Sequence, residues 1–208
     1  IHCVVGQCSV ETLGNVFAPT SRQASSNYGI GYDGRIGMYV EEKDRSWCSS
    51  SASNDNRAIT IEVASDTKHP YKVRDAAYKA LIDLCTDICK RNGIKELKWK
   101  ADKSLIGKVE QQNMTVHRWF ANKACPGDYL YNLHGQIAAE VNARLGVVSD
   151  TTPDTNAALE YAVGDVVTFK GTKHYASSNG TNGKTCKPGE ARVTSVAKNG
   201  KHQYHLVK

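Results

Sequence analysis

His117 and Cys125 stand eight residues apart in Val116-His-Arg-Trp-Phe-Ala-Asn-Lys-Ala-Cys-Pro-Gly127, and His2 lies in a short apolar stretch at the start of the chain. Imidazole nitrogen and thiolate are both good zinc ligands. Three such ligands leave a fourth position for water, the arrangement of a catalytic centre, whereas four would close it. A His and a Cys at this spacing also fit a satisfied surface histidine and a buried free thiol, and those two residues alone favour that plainer reading. Glu62 changes the weighing. In Ile59-Thr-Ile-Glu-Val63, alternation puts Ile59, Ile61 and Val63 on one face of a strand and Thr60 and Glu62 on the other. A carboxylate among apolar neighbours is costly unless a cation or a hydrogen-bond donor compensates it; an edge strand with a solvated Glu face is the alternative. Lys123, two residues before Cys125, adds a positive charge to the same segment, although most lysines are surface charges.

These groups can cooperate only if the fold gathers the chain start, a strand near residue 60 and a loop near residue 120. Residues 1–5 read as a strand, 27–32 and 34–40 flank Asp33-Gly34 as a hairpin, and 58–64 form a short buried-strand pattern. Over 73–92 apolar residues recur at Ala76, Ala77, Ala80, Leu81, Leu84 and Ile88, with Gly93 where a helix stops. Leu130, Leu133, Ile137, Val141 and Leu145 mark a second helix over 129–145. Strands alternating with helices predict an α/β domain with a central sheet.

A polar, proline-containing stretch from Val148 onward marks a boundary, giving a domain over 1–147, a linker over 148–160 and a second domain over 161–208. In the last of these, short alternating segments at 163–169, 190–196 and 203–207 are split by Gly171, Asn179-Gly180, Asn182-Gly183, Pro188-Gly189 and Asn199-Gly200, which predicts a small all-β barrel or sheet. The charge follows the same boundary. Of the net +6 over 208 residues, all resides in residues 161–208, where eight Lys and Arg face two acidic residues; the other 160 residues carry 19 of each sign. An anionic partner is therefore expected for the C-terminal stretch alone. No apolar run approaches the ~18 residues of a membrane span, and no secretory leader pattern opens the chain. Seven cysteines could form three bridges if Cys125 were a ligand, but Cys85 and Cys89 share a helix face at i, i+4, and reduced thiols are the expectation for a protein made in the cytoplasm. His134, His174, His202 and His205 read as ordinary side chains, since His202 and His205 lack a third partner at metal spacing.

Taken in order, Ile1-His2, Ser25-Ser-Asn-Tyr-Gly-Ile-Gly-Tyr-Asp-Gly34, Asn56-Arg-Ala-Ile-Thr-Ile-Glu62, and His117 with Lys123-Ala-Cys-Pro-Gly127 resemble the motifs of type 2 N-acetylmuramoyl-L-alanine amidases. These are zinc-dependent peptidoglycan amidases of phage and prophage endolysins, related in fold to peptidoglycan recognition proteins. The resemblance runs to about Leu145 and implies a central mixed β-sheet flanked by helices. It implies His2, His117 and Cys125 as zinc ligands, Glu62 as general base or acid, and Lys123 as the stabiliser of the oxyanion. The bond cut would be the amide between the lactyl group of N-acetylmuramic acid and L-alanine.

The sequence departs from the family pattern in places. Ser26 stands where some members have a catalytic Tyr, so that role passes to Glu62 alone, and Asn27 replaces a hairpin His that is not a ligand. With His2 one residue from the start, either a preceding piece is missing or this ligand sits on a frayed end. Trp47 falls where the family has a groove-lining aromatic, with a core Trp as the equal alternative, and Asn56 and Arg57 would contact the stem peptide or only position the next strand. The C-terminal stretch resembles SH3-like cell-wall-binding modules, whose aromatics Tyr161, Phe169, Tyr175 and Tyr204 and whose lysines would suit a wall polymer; otherwise they form the core and keep it soluble. Peptidoglycan and cell-wall polymer are thus the expected partners, with action at the bacterial wall and neither nucleic acid nor membrane as partner. A peptidoglycan-recognition module that binds without cutting is the competing reading, and a basic nucleic-acid binder would rest on the C-terminal charge alone.

Overall fold

A computed structural model describes residues 1–147, 161, 164–175, 178–196, 202 and 204–207. The expected linker, Val163, the Asn199-Gly200 turn and Gln203 lie outside them. The chain divides into two compact units, Ile1–Val148 and Ser149–Lys208.

In the first unit a four-stranded sheet has the order β1 (His2–Cys3), β4 (Ile61–Val63), β2 (Tyr28–Ile30), β3 (Ile36–Met38). β1 and β2 run parallel to β4, and β2 pairs antiparallel with β3, so the sheet is mixed. β4 is central: Glu62 does not lie on a solvated edge, and the edge-strand alternative is set aside. Ile30, Ile61 and Val63 join a core with helices α3 (Asp75–Arg91) and α4 (Gly127–Leu145). Leu81, Leu130, Ile137 and Val141 are fully buried there, each removing roughly 1.5–3 kcal/mol of apolar side chain from water. Ala76, which the periodicity places on the buried stripe, is exposed, whereas its neighbour Ala77 in the same first turn of α3 is fully buried, so the core-facing stripe enters the helix at Ala77.

Local chemistry explains the helix limits. α3 carries Asp75 in its first turn and Lys90 and Arg91 in its last, matching the helix dipole. α4 ends on Gly146 in the left-handed region at φ 74°. A third helix, α1 (Val10–Phe17), capped by Ser9, packs on β2 and β3. Its Leu13 comes so close to Gly29 that a Cβ there would meet Leu13 Cδ2 at 2.2 Å, which requires glycine at the position paired with Glu62.

The regular elements among the described residues of the second unit are all strands. An antiparallel sheet β5 (Val166–Phe169), β8 (Gly189–Val196), β9 (Tyr204–Val207) accompanies a hairpin of β6 (Lys173–His174) and β7 (Lys184–Thr185). Val193 and Ala191 form its buried centre. Its aromatics pair among themselves: Tyr161 meets Tyr204 edge-on at 5.6 Å, and Tyr175 stacks on His202 at 3.7 Å.

Candidate metal and catalytic site

β1 and β4 set His2 and Glu62 side by side as register partners. His2 is 3% exposed, so the strand pairing holds it in the interior and the expectation of a frayed ligand does not apply. Its Nδ1 is 3.3 Å from Cys125 Sγ and 4.0 Å from Glu62 Oε1. The His2 and His117 rings lie 5.2 Å apart, and one donor atom each from His2, His117 and Cys125 falls within 4.8 Å of the others. Residues separated by more than a hundred positions thus converge as two imidazoles and a thiol, a donor set suited to zinc.

The electrostatics fit a cation between them. Burial holds His2 well below the usual imidazole range, which keeps it neutral with a lone pair to offer. Burial pushes Glu62 up to about 7, and its Oε2 is buried without a hydrogen-bond partner. The Cys125 thiol is held well above its usual range, first by a hydrogen bond with Cys3 and then by burial. Deprotonating it in this setting calls for a compensating positive charge, so metal binding would be coupled to proton release.

Arg118 organises the loop that carries His117 and Cys125. Its backbone N–H donates to Cys125 O at 3.0 Å, while its guanidinium donates to Ala124 O at 2.6 Å and to Asp128 Oδ1 at 2.9 Å. The guanidinium also lies over Tyr131, 4.7 Å from the ring centre. Asp128 in turn bonds His69 Nε2 at 2.8 Å. Ser50 Oγ meets His117 Nε2 at 3.0 Å, orienting that ring.

Four of the five sequence-derived site residues are therefore brought together. Lys123 is exposed, two residues before Cys125, and its ammonium has no partner among the described residues. Trp47 is 52% exposed with Arg45 over its ring at 5.5 Å, so it is no core residue. Ser26 and Asn27 are buried in hydrogen bonds to Thr60 and the hairpin backbone and serve the fold. His134 is fully buried, its Nδ1 donating to Leu130 O at 2.6 Å, far from any ligand role. Cys48, Ser50 and Arg118 escaped the sequence reading. Their one signal was adjacency: Cys48 and Ser50 follow Trp47 closely, and Arg118 follows His117.

A family model for N-acetylmuramoyl-L-alanine amidases matches residues 1–128. The chain belongs to that family. The matched residues include every one of His2, Glu62, His117, Lys123 and Cys125, and the family's substrate is peptidoglycan. Comparison with curated proteins and comparison with solved structures gave no match. In this amidase the mixed sheet with flanking helices is the fold that delivers the site. Among the described residues no helix is long and apolar enough to cross a membrane. The second unit lies outside the matched residues.

Proposed function

We propose that this amidase is zinc-dependent and cleaves the amide between the lactyl group of N-acetylmuramic acid and L-alanine, with zinc held by His2, His117 and Cys125. The observation that carries the reading is the convergence of these three donors within 4.8 Å beside a half-buried carboxylate. Bound there, zinc supplies Lewis acidity that polarises the scissile carbonyl and lowers the pKa of the attacking water.

Everything else falls to the chain. Glu62, held near neutrality by burial, accepts the proton of the attacking water on a carboxylate oxygen and returns it to the departing alanine nitrogen. Lys123, exposed on the loop before Cys125, places its ammonium against the negative charge that develops on the carbonyl oxygen. Trp47, standing out beside Cys48, offers an apolar face to the substrate. The basic all-β unit, an SH3-like module in this reading, keeps the enzyme on an anionic wall polymer, consistent with an endolysin or autolysin role. A binding-only protein is the weaker reading, because the ligand set and the carboxylate are all present.

Chelation tests this. Treatment with EDTA is expected to abolish release of new alanine amino groups from purified peptidoglycan, and added zinc to restore it. Undiminished release after complete chelation would contradict the metal requirement.

A further inference from the structure

Cys48 has no part in the site described so far, yet it lies inside it. Its Sγ is 3.7 Å from Glu62 Oε1, and one donor atom each from His2, Cys48 and Glu62 falls within 4.8 Å of the others. The position of Cys48 is fixed from behind: its backbone N–H donates to Asp55 Oδ2 at 3.2 Å, the next N–H donates to Asp55 Oδ1 at 3.0 Å, and Asp55 is itself buried at the end of α2 (Ala52–Asp55). The other carboxylate oxygen, Glu62 Oε2, is buried without a hydrogen-bond partner. Imidazole, thiolate and carboxylate are each ordinary zinc ligands.

We infer that the centre offers a cation a second, overlapping position on His2, Cys48 and Glu62, in which the enzyme is blocked. This rests on the metal reading above only for the first position. The two positions share His2, so they exclude each other, with His2 as the pivot and His117 and Cys125 on one side, Cys48 and Glu62 on the other. Chemistry separates them. A dication on two imidazoles and one thiolate keeps a net positive charge and remains an electron-pair acceptor. On Cys48 and Glu62 it is neutralised by a thiolate and a carboxylate, which suits a buried place but weakens its acidity. It also ties up the carboxylate that must accept the proton. A metal at the second position is therefore retained without turnover, and the balance between the two positions sets the fraction of metal-loaded protein that is active.

Cobalt(II) is a suitable probe, because a thiolate ligand gives a sulfur-to-cobalt charge-transfer band in the near ultraviolet. In Cys125→Ser, which removes the only thiolate of the first position, cobalt is expected to bind and still give that band, while turnover is lost. In Cys48→Ser/Cys125→Ser the band should disappear. A folded Cys125→Ser protein that binds no cobalt, or binds it without the band, overturns the second position. So does a band that survives in the double variant, which would point to Cys3. If Cys125→Ser does not fold, His117→Ala keeps both thiols and removes the other ligand private to the first position. There, cobalt should protect Cys48 from alkylation as read by peptide mapping, and an alkylated Cys48 would refute the inference. Failure of the wild-type chain to bind cobalt at all would instead count against the metal reading itself.

Discussion

Cα positions of His2 and Glu62 face each other across the parallel pair β1 and β4, and their side chains meet with Nδ1 and Oε1 4.0 Å apart. One backbone pairing therefore places the proposed metal ligand beside the proposed proton acceptor. No loop has to close to bring them together, because the strand pairing itself sets the two side chains side by side.

Replacing Glu62 by Gln keeps shape and removes the proton acceptor. kcat on purified peptidoglycan is expected to fall by about 10²- to 10⁴-fold, with bound zinc still present by metal analysis. The acidic limb of the wild-type profile follows from the same group. A carboxyl pushed up to about 7 by burial is protonated, and so useless as a base, below that pH, and a cation alongside moves the limb lower. Activity should thus decline as pH falls, and that limb should be missing from whatever activity Glu62→Gln retains.

Arg118 holds the Cys125 peptide from both sides and is not itself one of the proposed zinc ligands. In Arg118→Ala the zinc concentration that half-restores activity to the chelated enzyme is expected to rise roughly 10- to 100-fold, the usual cost of losing an outer support of a metal ligand. Arg118→Lys should recover only part of this, since an ammonium cannot reproduce the planar guanidinium that serves Ala124 O and Asp128 together. An unchanged zinc requirement in Arg118→Ala would remove Arg118 from this role.

His134 gives a stability test at a residue outside the proposed ligand set. Burial depresses it to about 3, its Nδ1 is bonded to Leu130 O, and its Nε2 is buried without a partner. The unfolded chain takes up a proton below about 6.5 and the folded chain resists it. The stability contributed by neutral His134 is therefore fully present above pH ~6.5 and is lost as pH falls towards 3, with a slope of at most ~1.4 kcal/mol per pH unit. Urea midpoints measured from pH 7 to 4 should fall more steeply with acidification for the wild type than for His134→Phe. Parallel curves would show that His134 titrates normally.

Exposed Lys173 and Lys184 project from the β6 and β7 hairpin of the basic unit. With both changed to Glu, co-sedimentation with intact cell walls is expected to weaken and to lose much of its dependence on salt. Unaltered sedimentation would show that this face does not hold the wall.

Much of this was legible in the residues. Alternation around Glu62 predicted a strand with a misplaced carboxylate, and the spacings of α3 and α4 predicted the helices that bury the other face of the sheet. Ala76 failed because two adjacent small residues at the start of the helix leave its phase open, and the structure buries Ala77 instead. Cys48 was unreadable for a different reason: nothing in Ser46-Trp-Cys48 shows that a buried Asp55 will turn that thiol toward Glu62. Arg118 was hidden likewise, since its hydrogen bonds run to backbone carbonyls that carry no sequence signature. The three-residue convergence itself came from the ordered resemblance, because spacing between His2 and His117 encodes no distance.

Mass spectrometry of peptidoglycan digested by zinc-loaded enzyme, with zinc per chain measured on the same sample, tests the central claim most directly. The expected result is about one zinc per chain, stem peptides beginning with free L-alanine, and glycan chains with a free lactyl carboxyl, all lost on chelation. Products cut at any other bond, or the same products from metal-free protein, would contradict it.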